Sequence, residues 1–107
     1  MALDITIRAG TNRPVKFDFT ANAPADFTTA GKTFELVVEW TGGRRVYAAG
    51  SGLAISGAKA VTWSPPLADT RAFPLGRIAR VEMQWTEGGI QDSDAGMLNV
   101  TPGISND

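Results

Sequence analysis

The chain has no cysteine and no histidine. Without cysteine there is no disulfide framework, no zinc–thiolate site and no cysteine nucleophile. Without histidine the commonest general base, the usual metal ligand and the Ser-His-Asp arrangement are missing together. A surplus of one charge is lacking as well: 10 Lys and Arg face 11 Asp and Glu, for a net charge of −1. The signs are interspersed, so no basic patch points to nucleic acid. No apolar run approaches the roughly 18 residues that span a membrane. The opening "MALDITIRAG" carries Asp4 and no long apolar stretch, so it does not read as a signal peptide. There is no G-x-S-x-G, no P-loop, and no G-x-G-x-x-G opening a helix. No Asp or Glu spacing recommends an acid–base pair. The expectation is a protein that is not an enzyme, with no catalytic residues, cofactor or metal, and with neither nucleic acid nor membrane as partner.

What is present is alternation. A chain of 107 residues, 43% of them hydrophobic, reads as one domain spanning residues 1–107. It is long enough to bury roughly 65% of its unfolded surface. In "LDITIRAG", Leu3, Ile5 and Ile7 share one face. Val15, Phe17 and Phe19 do so in "PVKFDFT", Phe34, Leu36, Val38 and Trp40 in "TFELVVEW", and Val81, Met83 and Trp85 in "RVEMQW". Period two puts these residues on one side of a half-buried strand, whereas a helix would scatter them. Gly-rich turns such as "TGGRR", "GSG", "SGAK" and "EGG" separate the runs, and residues 20–32 read as a crossover loop. "SPPLADTRAFPLG" breaks the pattern. It predicts one or two helical turns over residues 65–73, capped by Ser64, stopped by Pro74, and packed through Leu67 and Phe73. The fold expected is all-β: an immunoglobulin-like antiparallel β-sandwich of about seven to eight strands with that short helical turn. Its core should hold Phe17, Phe19, Phe34, Leu36, Trp40, Val81, Met83 and Trp85.

Few residues suggest a site. Asp92-Ser93-Asp94-Ala95-Gly96 begins like a calcium loop. Its glycine comes one residue early, however, and no acid follows before Asp107. Asp92 and Asp94 therefore read as turn formers that kink the return to the last strand. Trp40, Trp63 and Trp85 could stack sugars, but their inward alternation reads as core. Arg44 and Arg45, beside a glycine turn, suit an acidic partner or a phosphate, or else a solvated hairpin tip. Val37 interrupts the charged face of its strand between Glu35 and Glu39, and Ile78 sits similarly against Arg80 and Glu82. The sole tyrosine, Tyr47, reads as an interface anchor or as an aromatic packed on an edge, and if Val37 and Ile78 come together with it they would form a patch suited to a neighbouring subunit. Val37, Arg44, Arg45, Tyr47 and Ile78 are thus the candidate interaction surface.

Several segments carry a resemblance: "RAGTNRP", the loop "PADFTTA" leading into "TFELVVEW", "PLADTRAFPLGRIARVEMQW", and the return "GGIQDSDAGMLNVTPG". Together they resemble small phage and prophage tail or baseplate proteins, in particular the immunoglobulin-like N-terminal domain of the baseplate upper protein. Gly96, Leu98 and Val100 match its closing G-x-L-x-V strand. In that family the domain heads a longer chain, so a chain ending at Asp107 is expected to be a stand-alone adaptor or accessory subunit. The resemblance implies a structural protein of a virion, made in the bacterial host cytoplasm. Such a protein docks on other virion structural proteins and self-associates into a homo-oligomer. The competing expectation is a carbohydrate- or surface-binding module on the same kind of sandwich.

Overall fold

A computed structural model describes residues 4–19 and 28–102. The alternating runs become strands: β1 (Ile5–Arg8), β2 (Val15–Asp18), β3 (Thr33–Trp40), β4 (Gly43–Ala49), β5 (Gly52–Gly57) and β6 (Ala60–Trp63). The helix α1 (Leu67–Ala72) follows, then the long strands β7 (Gly76–Glu87) and β8 (Ile90–Thr101). Leu3 and the first part of the expected crossover loop, residues 20–27, lie outside the described residues. No helix among the described residues is long and apolar enough to cross a membrane.

Neighbours in the sheet run β1-β8-β7-β3-β4-β5-β6-β2. The eight strands form one curled sheet whose halves meet at a narrow seam, where β4 and β5 share only Ala48↔Gly52 and Ala49↔Leu53. One half is β4-β3-β7-β8 and the other β5-β6-β2. This is the neighbour order C′-C-F-G facing D-E-B of immunoglobulin domains, with the first strand moved to the G edge. The protein is an all-β, immunoglobulin-like sandwich. Its pairings are antiparallel except at the seam and between β1 and β8. The β1–β8 pair is parallel because the first strand crosses to the far edge instead of forming a hairpin with the second.

The core lies between the halves. Leu36, Val38, Val61, Trp63, Val81, Met83 and Leu98 are fully buried, and Phe17, Phe19, Phe34 and Phe73 nearly so. Trp40 and Trp85, expected inside, are only partly buried and pack against the core from its margins. Antibody domains tie strands B and F with a disulfide. The corresponding place here is filled by aromatics: Phe19, just past β2, sits edge-on to Trp85 of β7 at 5.9 Å and stacks with Phe34 at 6.1 Å. Trp63 fills the opposite region against Tyr47 at 5.4 Å and Phe73 at 6.3 Å. Such pairs add about 0.5–1.5 kcal/mol each beyond the area they bury.

The helix begins later than expected. Ser64 does not cap it, because Pro66 keeps Pro65 out of the helical region. Pro66 is itself extended (φ −66°, ψ 148°) and stands at the cap without a side-chain hydrogen bond. Phe73, held extended by Pro74, ends it. Leu67 is exposed, and Thr70 and Phe73 are the buried anchors. Thr70 Oγ1 donates to the Thr11 carbonyl at 2.7 Å, which ties the helix to the β1–β2 loop.

Leu36 has no exposure, and Leu36→Ala is expected to cost about 2–5 kcal/mol in urea unfolding. A loss below about half a kcal/mol, within the noise of surface substitutions, would contradict this packing.

Candidate interaction surface

The β3–β4 hairpin positions the expected surface residues. Its turn is two residues long, Thr41 and Gly42, so Trp40 pairs with Gly43. Gly42 has a φ of +102°, where a side chain would strain the turn. A Cβ on Gly43 would run into the Trp40 ring, so glycine there lets the indole lie across the hairpin end. From that rung the register is set: Arg45 faces Val38, Val46 faces Val37, and Tyr47 faces Leu36. The inward set of β4 is therefore Gly43, Arg45, Tyr47 and Ala49, and the outward set is Arg44, Val46 and Ala48.

This divides the five candidates. Tyr47 is not part of an outward patch. It is 4% exposed, in the core against Trp63, and its hydroxyl donates to Asp69 Oδ2 of α1 at 2.7 Å. Arg45 also turns toward α1. Its Nε donates to Asp69 Oδ1 at 3.3 Å, its Nη1 to the Arg44 carbonyl at 3.1 Å, and its guanidinium lies 5.7 Å from the Trp40 ring centre. The two-residue turn gives Tyr47 the parity of Leu36, and this overturns the expectation that it joins Val37 and Ile78. Asp69, passed over in the sequence, is the acceptor that holds both side chains.

Val37, Arg44 and Ile78 do share the outer face of β4-β3-β7-β8. Val37 is nearly buried there, between its cross-strand partners Val46 and Glu82. The exposed apolar residues are Val46, 42% exposed, and Ile78, 58% exposed. Ile78 falls where the register slips between Arg77 and Ala79, whereas the ladder runs without a slip through Asp94, where a kink had been expected. Between these two apolar positions runs a row of alternating charge, Arg44, Glu39 and Arg80, with Arg80 paired to Met97 on β8. Arg44 Nε is 3.8 Å from Glu39. Glu82 accepts from Gln84 at 2.9 Å and Ser93 at 3.1 Å. Val46 was missed in the sequence, although counting back from a two-residue turn places it opposite Val37.

Asp92 and Asp94 are not turn formers. Gly88 and Gly89, with φ of +59° and +83°, make the turn, as a two-residue hairpin requires. The acids lie on β8 opposite Trp85 and Met83. Alternate residues of one strand point the same way but do not curl around an ion. Partial burial, and then the neighbouring Asp92, raise the Asp94 carboxyl above its ordinary pKa. Among the described residues no group of three His, Cys, Asp or Glu could hold a metal. Trp63 is wholly buried, Trp40 lies between Phe73 and Arg45, and Trp85 contacts Phe19 and Phe34. The three tryptophans form no common exposed platform.

No family model matches the chain, and no curated protein matches it. Among solved structures it is similar to the Ig-like domain of human leucine-rich repeat-containing protein 4. The two share 15% sequence identity over 97% of this chain and 85% of that one, with a TM-score of 0.47.

Burial, the Asp69 hydrogen bond and the Asp69 charge push the Tyr47 phenol well above its ordinary value, and Arg45 offsets only part of this. The unfolded chain ionises near pH 10. The linked stability is therefore complete below that pH and is lost as pH rises further. Because the chain has a single tyrosine, tyrosinate absorbance should stay silent above pH 10 and rise only with alkaline unfolding. Tyr47→Phe should cost about 1.5–3 kcal/mol at pH 7, as for hydrogen bonds to a charged acceptor. Free titration near pH 10 would mean that the ring is not held in the core.

Proposed function

We propose that the protein is a docking module that works through the outer face of β4-β3-β7-β8, without catalysis. The observation that carries this is the placement of exposed Val46 and Ile78 on either side of the Arg44, Glu39, Arg80 row. Apolar residues set among charges of both signs suit a protein partner. The row is also self-complementary. In an isologous pair about an axis along the strands between β3 and β7, Glu39 of each copy lies over Arg80 of the other. Val46 then lies over Ala95. The acids beside this face and the helix serve in structural contacts: Asp69 to Tyr47 and Arg45, Glu82 to Gln84 and Ser93, Asp4 to Arg77 and the Met97 amide. That use supports a non-catalytic reading. The lack of a shared exposed face for the tryptophans favours docking over a sugar-binding module.

The sequence resemblance supports a more specific setting, a structural or adaptor subunit of a phage or prophage tail or baseplate, located in the virion with other virion structural proteins as partners. Genes for tail, baseplate or fibre proteins are expected beside its own, and a neighbourhood without them would overturn that setting.

Self-docking is read by sedimentation across a concentration series. The wild-type chain should form a dimer, and Val46→Glu should weaken it by at least about tenfold, equivalent to 1.4 kcal/mol. Glu39→Arg and Arg80→Glu should each weaken it, and the double charge swap should restore it. A strict monomer, or a double swap no better than either single change, contradicts the arrangement.

A further inference from the structure

The two ends of the strand order, β1 and β2, are free edges among the described residues. They are joined by a short loop, and β1, this loop and the start of β2 line a groove of about 460 Å³. That volume falls within the range of about 300–1,000 Å³ typical of ligand sites. Thr6 and Arg8 of β1, Val15 of β2, and Thr11 and Arg13 of the loop line it. Among the described residues no acidic side chain lines it. Among the described residues neither the Arg8 nor the Arg13 guanidinium takes part in an ion pair.

The backbone at this groove is directional. The Ala9 N–H donates to the Thr101 carbonyl of β8 at 2.9 Å. Peptide groups alternate along a strand, so the Thr6 N–H and C=O and the Arg8 N–H point away from β8, along the open side of β1. The Arg8 carbonyl is taken by the Thr11 N–H at 3.3 Å. The Thr70–Thr11 hydrogen bond then holds the loop that carries Arg13. An outward-facing strand edge beside two unpaired cations offers both requirements of strand addition, main-chain pairing for affinity and side-chain charge for selection.

We propose that this groove binds an extended acidic peptide segment of a partner protein, which adds as a short strand beside β1 and places its carboxylates on Arg8 and Arg13. The site is separate from the outer face of β4-β3-β7-β8. Guanidinium groups pair with carboxylates in bidentate fashion, and the outward Thr6 and Arg8 amides set the register. Lysine-rich segments are rejected by like charge.

The test is fluorescence anisotropy on the whole chain with two labelled peptides of alternating pattern, one of Glu and Val and one of Lys and Val. The Glu peptide should bind and the Lys peptide should bind at least about tenfold more weakly. Arg8→Glu with Arg13→Glu should abolish binding without lowering the melting temperature, since both residues are exposed and lie outside the core. Thr6→Pro removes the outward N–H, a change tolerated on an edge strand, and should weaken binding at least about tenfold relative to Thr6→Val, which keeps it. A Glu peptide methylated on the alternate amides that would pair with β1 should fail to bind. Equal binding of the methylated peptide, displacement by inorganic phosphate at the same concentration, or equal binding of a single-stranded oligonucleotide would each overturn the proposal. Val46→Glu should leave peptide binding unchanged, so failure of the outer-face docking is read separately.

Discussion

A turn of two residues, Thr41 and Gly42, decides where every side chain of β4 points. Because Trp40 pairs with Gly43, the odd residues of β4 share a face with Phe34, Leu36 and Val38, and the even ones lie outside with Glu39, Val37 and Glu35. A one-residue change in that turn would exchange the two faces. Tyr47 would then leave its place against Trp63, Arg45 would lose Asp69, and Val46 would enter the core. The outer face and the contact between sheet and helix both follow from this one register.

The second dependence runs through α1. It is too short to be stable alone, and its packing and polar ties hold it. Phe73 packs on Trp40 and Trp63, Asp69 accepts from Tyr47 and Arg45, and Thr70 donates to Thr11. The last of these reaches the β1–β2 loop, so the helix braces the wall of the groove as well as the end of the sandwich. The chain carries no disulfide. The Phe19, Phe34 and Trp85 cluster and the Trp63, Tyr47 and Phe73 cluster do the joining of the halves through apolar burial instead. The Trp63 indole N–H is buried without a partner among the described residues. That costs about 1–3 kcal/mol, against the large apolar area its ring removes from water.

The two proposed surfaces are built differently. The outer face relies on side chains that a flat sheet displays, where apolar residues and alternating charges specify a partner by pattern. The proposed peptide site relies on main chain at a sheet edge, with outward amides to pair a strand and two arginines to select its charge. The move of β1 to the β8 edge separates it from β2 and opens that groove. Had β1 paired beside β2, the two edges would have closed on each other.

By itself the sequence determined the elements. Alternation marks β1, β2, β3 and β7 as strands and names part of the core, including Phe17, Phe34, Leu36 and Met83, because period two is a local property of an extended chain. Pro74 likewise stops α1 through its own ring. Local pattern did not determine partners. The Pro65-Pro66 pair shifted the helix start away from Ser64, because a proline restricts the residue before it. Asp92 and Asp94 carry turn chemistry, yet β8 runs straight through them: Gly88 and Gly89 had already made the turn, and the ladder to Trp85 and Met83 outweighs a local preference. Tyr47 and Arg45 face inward only because β4 pairs in one register with β3. The groove exists only because a four-residue strand crossed to the far edge, and nothing in the four residues of β1 states which neighbour it will find. Periodicity decides which side of a strand is apolar. The tertiary structure alone decides what that side, and each free edge, will meet.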